Sequence, residues 1–151
     1  MAQTEGNFPS QGKYTIDILK RFEMLDYKSM ATLMDANFKK LKEFTSNYYM
    51  IDPTMYHQLI GSPMYLTNTR PDICFVVNTL SQFMSDLRQI QWVSAKHVLK
   101  YLRGTVLYGL RYALGCDIVL QGFSDSDWVG CVADRKSTSE YCFSLGSTVI
   151  S

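Results

Sequence analysis

Asp125 and Asp127 lie two residues apart in the stretch VLQGFSDSDWVGCVADRKSTSEYCFSLGSTVIS, Val119 to Ser151, and no other residues of the chain are better suited to chemistry. A short β-branched and aromatic run leads into them, which reads as a strand delivering carboxylates to its end. Residues i and i+2 of a strand share a face, so the pair can hold at best one hydrated Mg²⁺, weakly. Hydrolysis of a phosphodiester asks for more: two divalent ions about 3.5–4 Å apart, held by several carboxylates. Asp134 is near in sequence but follows a glycine-containing polar loop. The plainer reading of Asp125 and Asp127 is a pair of solvated turn carboxylates, and the expected set of catalytic and metal-binding residues is empty.

A second constellation is cationic. Lys96, Lys100 and Arg103 stand at i, i+4 and i+7, with Arg88 before them, so one helix face carries a stripe suited to phosphate contacts. Such a stripe is more often a solvated face, and nucleic acid is not an expected partner of this stretch. His57 and His97 have no companion at ligand or triad spacing and read as helix-surface residues. Cys74, Cys116, Cys131 and Cys142 are irregularly spaced without a CxxC pair, which predicts reduced thiols rather than zinc ligands or a disulfide frame. No glycine-rich phosphate loop and no Gly-x-Ser-x-Gly elbow is present.

The elements that must position these residues follow from composition and period. The chain has 151 residues, 46% of them hydrophobic, which is enough for a real core. Its net charge of +1 gives no global pull toward nucleic acid or an anionic membrane, so any basic patch must be local. The longest apolar run, Ile73 to Val77, is far short of the roughly 20 residues that span a bilayer. The N-terminus, MAQTEGNFPSQGKY, has neither the cationic start nor the apolar segment of a secretory leader, so residue physics alone makes the cytosol the default compartment.

Residues 1–12 are polar, turn-rich and expected to be flexible. Tyr14, Ile18, Leu19, Phe22 and Leu25 recur at helical spacing and predict a helix over Lys13 to Phe22. Asp26 to Met50 holds no period and reads as an extended connector. Asp52-Pro53 is a helix start, followed by an apolar face of Met55, Tyr56, Leu59 and Ile60. Pro63 is expected to end or kink that helix near Gly61-Ser62. Arg70-Pro71-Asp72 opens another helix, with Ile73, Val76, Val77, Leu80, Phe83 and Met84 on one stripe. A further helix, Gln91 to Arg103, buries Trp92, Ala95, Val98, Leu99 and Leu102, terminates at Gly104, and should pack antiparallel to its predecessor. From Thr105 the runs LYGLRYAL, DIVLQGFSD, SEYCFSL and STVIS read as strands and turns. The expected fold class is α+β, helices first and an antiparallel sheet after, with segments 1–12, 13–104 and 105–151.

The runs SQGKYTIDILKRFEM, YHQLIGSPMYLTNTRPDICFVVNTLSQFM, WVSAKHVLKYLRGTVLYGLRY and GFSDSDWVGCVADRKSTSEYCFSLGSTVIS are similar, in order, to the copia-type retrotransposon polyprotein. TRPDI, KYLRGT and DRKSTS are the most specific of them. The resemblance implies that residues 13–104 are connection- or thumb-like helices from the tail of a reverse transcriptase. It implies that residues 105–151 open a ribonuclease H-like sheet, with Asp125 at its first metal-binding aspartate. In that family Mg²⁺ serves the parent enzyme, the palm aspartates precede this segment, and the remaining nuclease carboxylates follow Ser151. No cofactor and no catalysis are therefore expected, and Asp125 is vestigial. Two departures from the family's pattern, Pro63 for an apolar helix former and Glu140 for glycine, are expected to destabilise.

A free-standing chain of this form also resembles the secreted RxLR effectors of a plant-pathogenic downy mildew. Lys100-Tyr101-Leu102-Arg103 is RxLR-like, with Lys for the first Arg, although it falls inside a predicted helix without a leader before it. That resemblance implies a non-enzymatic protein secreted into the host cytoplasm or nucleus, acting on defence and cell-death signalling by suppressing cell death. Its partner would be a host protein reached through an open sheet edge or an apolar patch, with no membrane involved. The alternative is a catalytically incomplete piece of a copia-type reverse transcriptase and ribonuclease H, a relic.

Overall fold

Ile18 and Leu19 lie one turn on from Tyr14 and Thr15, and helical winding puts this row on one side of α1, Gly12–Arg21. Thr15, Ile18 and Leu19 are buried while Asp17, Lys20 and Arg21 face out. Two residues past the end of the helix, Glu23 at φ 55° turns the chain through the left-handed region. That reversal sends Met24 into the core and leaves Leu25 on the surface, the opposite of what helical spacing predicts. The computed structural model describes residues 11–34, 52–85, 87–110, 119–127, 138–146 and 148–150. The connector is free of helix and strand over Asp26 to Met34, and its remainder, 35–50, lies outside the described residues.

Helix α2, Pro53–Leu66, starts as its sequence predicts: the Asp52 side chain accepts the Thr54 N–H at 2.9 Å, and Pro53 occupies the first turn. Pro63, however, does not end it. The helix runs through the proline to Leu66, with Leu59, Ile60, Ser62, Pro63 and Leu66 all buried. Ser62 supports the altered turn by donating to the Gln58 carbonyl at 2.9 Å. A proline inside a helix costs about 3 kcal/mol, and burying the Leu66 side chain recovers about 1.5–3 kcal/mol. Tertiary packing thus carries the last turn that local propensity would end. Met55 is exposed, so the buried face begins at Tyr56, whose hydroxyl donates to the Leu80 carbonyl at 2.8 Å.

Arg70-Pro71-Asp72 opens a 3₁₀ turn, Pro71–Ile73, which leads into α3, Cys74–Ser81. Ile73, Val76, Val77 and Leu80 are buried, and Phe83 and Met84 pack against them from beyond the helix end. Helix α4, Gln89–Gly104, buries Ala95, Val98, Leu99 and Leu102, with Trp92 half-buried beside them. Helix α1 contacts α2 and α4, α2 contacts α3 and α4, and α3 contacts α4, so the four share one core.

By its internal contacts the chain divides into two units, one Ser10–Tyr108 and the other containing Gly109–Ser151. In the second, β1, Leu120–Asp127, pairs antiparallel with β2, Thr138–Leu145, which pairs antiparallel with β3, Thr148–Val149. Gly146, at φ 60°, makes the tight turn before β3 and donates its N–H to the Val119 carbonyl at 2.9 Å. Gly122 faces Phe143 across the ladder, and a Cβ there would stand 3.0 Å from the Phe143 ring. The structure is thus α+β. Of the run LYGLRYAL, residues 107–110 form no strand and residues 111–114 lie outside the described residues; of STVIS, Thr148–Val149 pairs, and residues 147 and 151 lie outside the described residues.

Candidate functional site

TRPDI and KYLRGT, separated by some thirty residues in sequence, meet in space. The Arg70 guanidinium, 3% exposed, grips the Asp72 carboxylate with two hydrogen bonds of 2.9 and 2.7 Å. Two further donors reach the Thr105 carbonyl at 2.9 Å and the Thr105 hydroxyl at 2.8 Å. Tyr101 donates to the same Asp72 carboxylate at 2.9 Å. The rings of Tyr101 and Tyr108 stand 5.7 and 5.4 Å from the guanidinium carbon, within the range of cation–π attraction. Burial pushes the Asp72 carboxyl up, but the hydrogen bonds and charge of Arg70, with the Tyr101 hydroxyl, hold it below the ordinary carboxylate value. Burial first, then Asp72, pushes the Tyr101 phenol up. The clamp's groups bind one another, which ties the end of α4 to the start of α3. Sequence reading used the two motifs to identify a family and missed that they bind each other; the missed signal was an arginine beside a helix-opening Pro-Asp.

The cationic stripe is met by the chain itself. Leu25 to Met34 runs along α4 as a strap in which the Leu25 carbonyl accepts from Arg103 and the Met30 N–H donates to the Lys100 carbonyl at 3.2 Å. The Lys100 ammonium stands 5.7 Å from the Tyr27 ring centroid, and Lys96 stands 5.0 Å from that of Trp92. The strap also passes close to Gly104: a Cβ there would lie 3.2 Å from Ser29 Cβ. His97 is a correction. It is 8% exposed, not a surface residue, because the strap covers it and the Thr32 carbonyl lies 2.8 Å from Nε2. His57 is exposed, its Nε2 3.3 Å from the Met84 carbonyl. The tetrapeptide Lys100-Tyr101-Leu102-Arg103 forms part of the last turns of α4, with Leu102 fully in the core and Tyr101 in the clamp.

Asp125 and Asp127 both fall within β1, at register positions opposite Glu140 and Thr138. Asp134 lies outside the described residues. Among the described residues, no group of three or more His, Cys, Asp or Glu is placed to hold a metal ion. Cys74 and Cys142 are free thiols; Cys116 and Cys131 lie outside the described residues. No described helix is long and apolar enough to cross a membrane.

No family model matches the chain, and no solved structure matches it. Known proteins do. It is 41% identical over 147 residues to the retrovirus-related Pol polyprotein from transposon RE2 of Arabidopsis thaliana, covering 97% of this chain and 10% of the polyprotein. It is 38% identical to an uncharacterized mitochondrial protein of Arabidopsis thaliana, over 97% of this chain and 60% of that protein. It is 43% identical over 97 residues to secreted RxLR effector protein 161 of Plasmopara viticola, covering 64% of this chain and 68% of the effector. The chain therefore spans about three fifths of one of these relatives and a tenth of the polyprotein. Similarity along nearly the whole chain places it: the chain belongs to the copia-type retrotransposon Pol family, together with that family's short relatives.

Proposed function

We infer that the chain is a non-catalytic segment of a copia-type polyprotein, in which residues 13–104 form the tail of a reverse transcriptase and residues 105–151 begin a ribonuclease H-like sheet. The observation that carries this reading is 41% identity to a Pol polyprotein along 97% of the chain. On it, Asp125 is one metal-binding position of a nuclease whose other carboxylates come from elsewhere in the polyprotein, and the helical unit is the rigid piece between two catalytic domains. Two-metal hydrolysis needs the full carboxylate set, so the chain alone should leave an RNA–DNA hybrid intact in Mg²⁺. Asp125→Asn in a full-length polyprotein should lower hybrid cleavage by about 100-fold or more. Cleavage by the isolated chain, or an Asp125→Asn polyprotein of full activity, would overturn the assignment.

The similarity to the Plasmopara viticola effector favours a second reading, in which this segment has been taken up as a secreted protein that suppresses host cell death by binding a host protein. Expression in leaf cells against an empty vector separates the two. Suppression of cell death that survives Asp125→Asn supports the effector; no suppression leaves the polyprotein reading alone.

A further inference from the structure

Tyr27 lies in the turn after α1, outside any helix or strand, and is 52% exposed. Two exposed carboxylate residues precede it, Glu23 and Asp26. Its ring lies 5.7 Å from the Lys100 ammonium, and Lys100 shares a helix face with Lys96 and Arg103. The other exposed tyrosines among the described residues, Tyr65 and Tyr108, are held differently. Tyr65 sits in the last turn of α2, edge-on to Tyr14 with centroids 5.1 Å apart, and Tyr108 stacks on Arg70.

We propose that Tyr27 is a phosphorylation site for a tyrosine kinase, and that Lys100 and its cationic neighbours on α4 receive the phosphate and fasten the strap. The Tyr27 phenolic oxygen attacks the γ-phosphorus of ATP. The new O–P bond forms as the bond to the β,γ-bridging oxygen breaks, the phenol proton passes to the kinase's base, and ADP leaves. An irregular, exposed segment can extend into a kinase cleft, whereas a tyrosine fixed in a helix cannot. The product carries a charge of about −1.5 to −2 and strong acceptor oxygens, beside cations that, among the described residues, meet the rings of Trp92 and Tyr27 and the Leu25 carbonyl. Position 27 lies between the strap's ties at Leu25 and Met30, so a charge-assisted link there closes the gap between them.

The test treats the full chain with a recombinant tyrosine kinase domain and Mg-ATP, then locates phosphate by mass spectrometry and follows amide exchange. Tyr27 is expected to be the principal phosphotyrosine, with its signal abolished in Tyr27→Phe. Exchange at the Met30 amide should slow about fivefold on phosphorylation, and Lys100→Gln should accept phosphate without that slowing. Phosphate confined to Tyr65 or Tyr108 overturns the site. Exchange at Met30 that is unchanged, or slowed equally in Lys100→Gln, overturns the role given to the stripe.

Discussion

Arg70 answers to more neighbours than any other charged residue described above, and its removal should be felt accordingly. Arg70→Ala leaves the Asp72 carboxylate with the Tyr101 hydroxyl but no charged partner, and the Thr105 carbonyl with the Tyr108 N–H alone; breaking one partner of a buried pair costs about 3–5 kcal/mol. Because Asp72 is 36% exposed, the lower end applies, and urea denaturation should show a fall of about 3 kcal/mol. The clamp also fixes a pH window. Asp72 titrates lower in the folded chain than in the unfolded one, so its contribution is complete above the ordinary carboxylate value and is lost as pH falls through the folded value. Tyr101 titrates higher when folded, so its contribution holds below the ordinary phenol value and is lost as pH rises through the folded one. The clamp's contribution to stability should therefore be flat between those limits. Asp72→Asn should lower the plateau and flatten the acid limb of a urea-midpoint profile taken from about pH 6 down to 2.

At the scale of elements, α2 holds two residues that helix propensity disfavours, Gly61 and Pro63, and the core overrides both. They differ in what substitution would do. A Cβ at Gly61 meets nothing within 4 Å, so Gly61→Ala should stabilise by about 0.5–1 kcal/mol through lost freedom of the unfolded chain, read as a raised thermal midpoint. Gly104→Ala should do the reverse, because its Cβ would press on Ser29 and loosen the strap. The helices were legible because their apolar residues repeat at helical spacing and Asp52-Pro53 announces a start. Pro63 misled because its local penalty is visible in sequence, whereas the burial of Leu66 that offsets it is not. Met24 replaced Leu25 for a similar reason, since the left-handed turn at Glu23 has no residue signal; a glycine there would have announced it. The clamp and the strap were invisible because each joins residues distant in sequence, and period says nothing about such pairs.

The whole molecule separates its charges. Between residues 10 and 108 there are twelve Lys and Arg against eight Asp and Glu, while residues 109–151 hold three against five, so a net charge of +1 conceals a basic helical unit and an acidic sheet. Among the described residues, every fully buried member of the hydrophobic cluster lies between Ile18 and Leu102. A chain limited to residues 10–108 should therefore fold cooperatively by itself, and Leu99→Ala within it should cost about 2–5 kcal/mol, both measurable by urea titration with circular dichroism. The strap carries a consequence for synthesis. Leu25 waits for Arg103, 78 residues later, so at about 5–20 residues per second the ribosome delivers that partner roughly 4–16 s afterwards. Throughout that interval α1 has no α4 to cover it, and the nascent chain offers Ile18, Leu19 and Met24 to whatever chaperone stands at the tunnel exit.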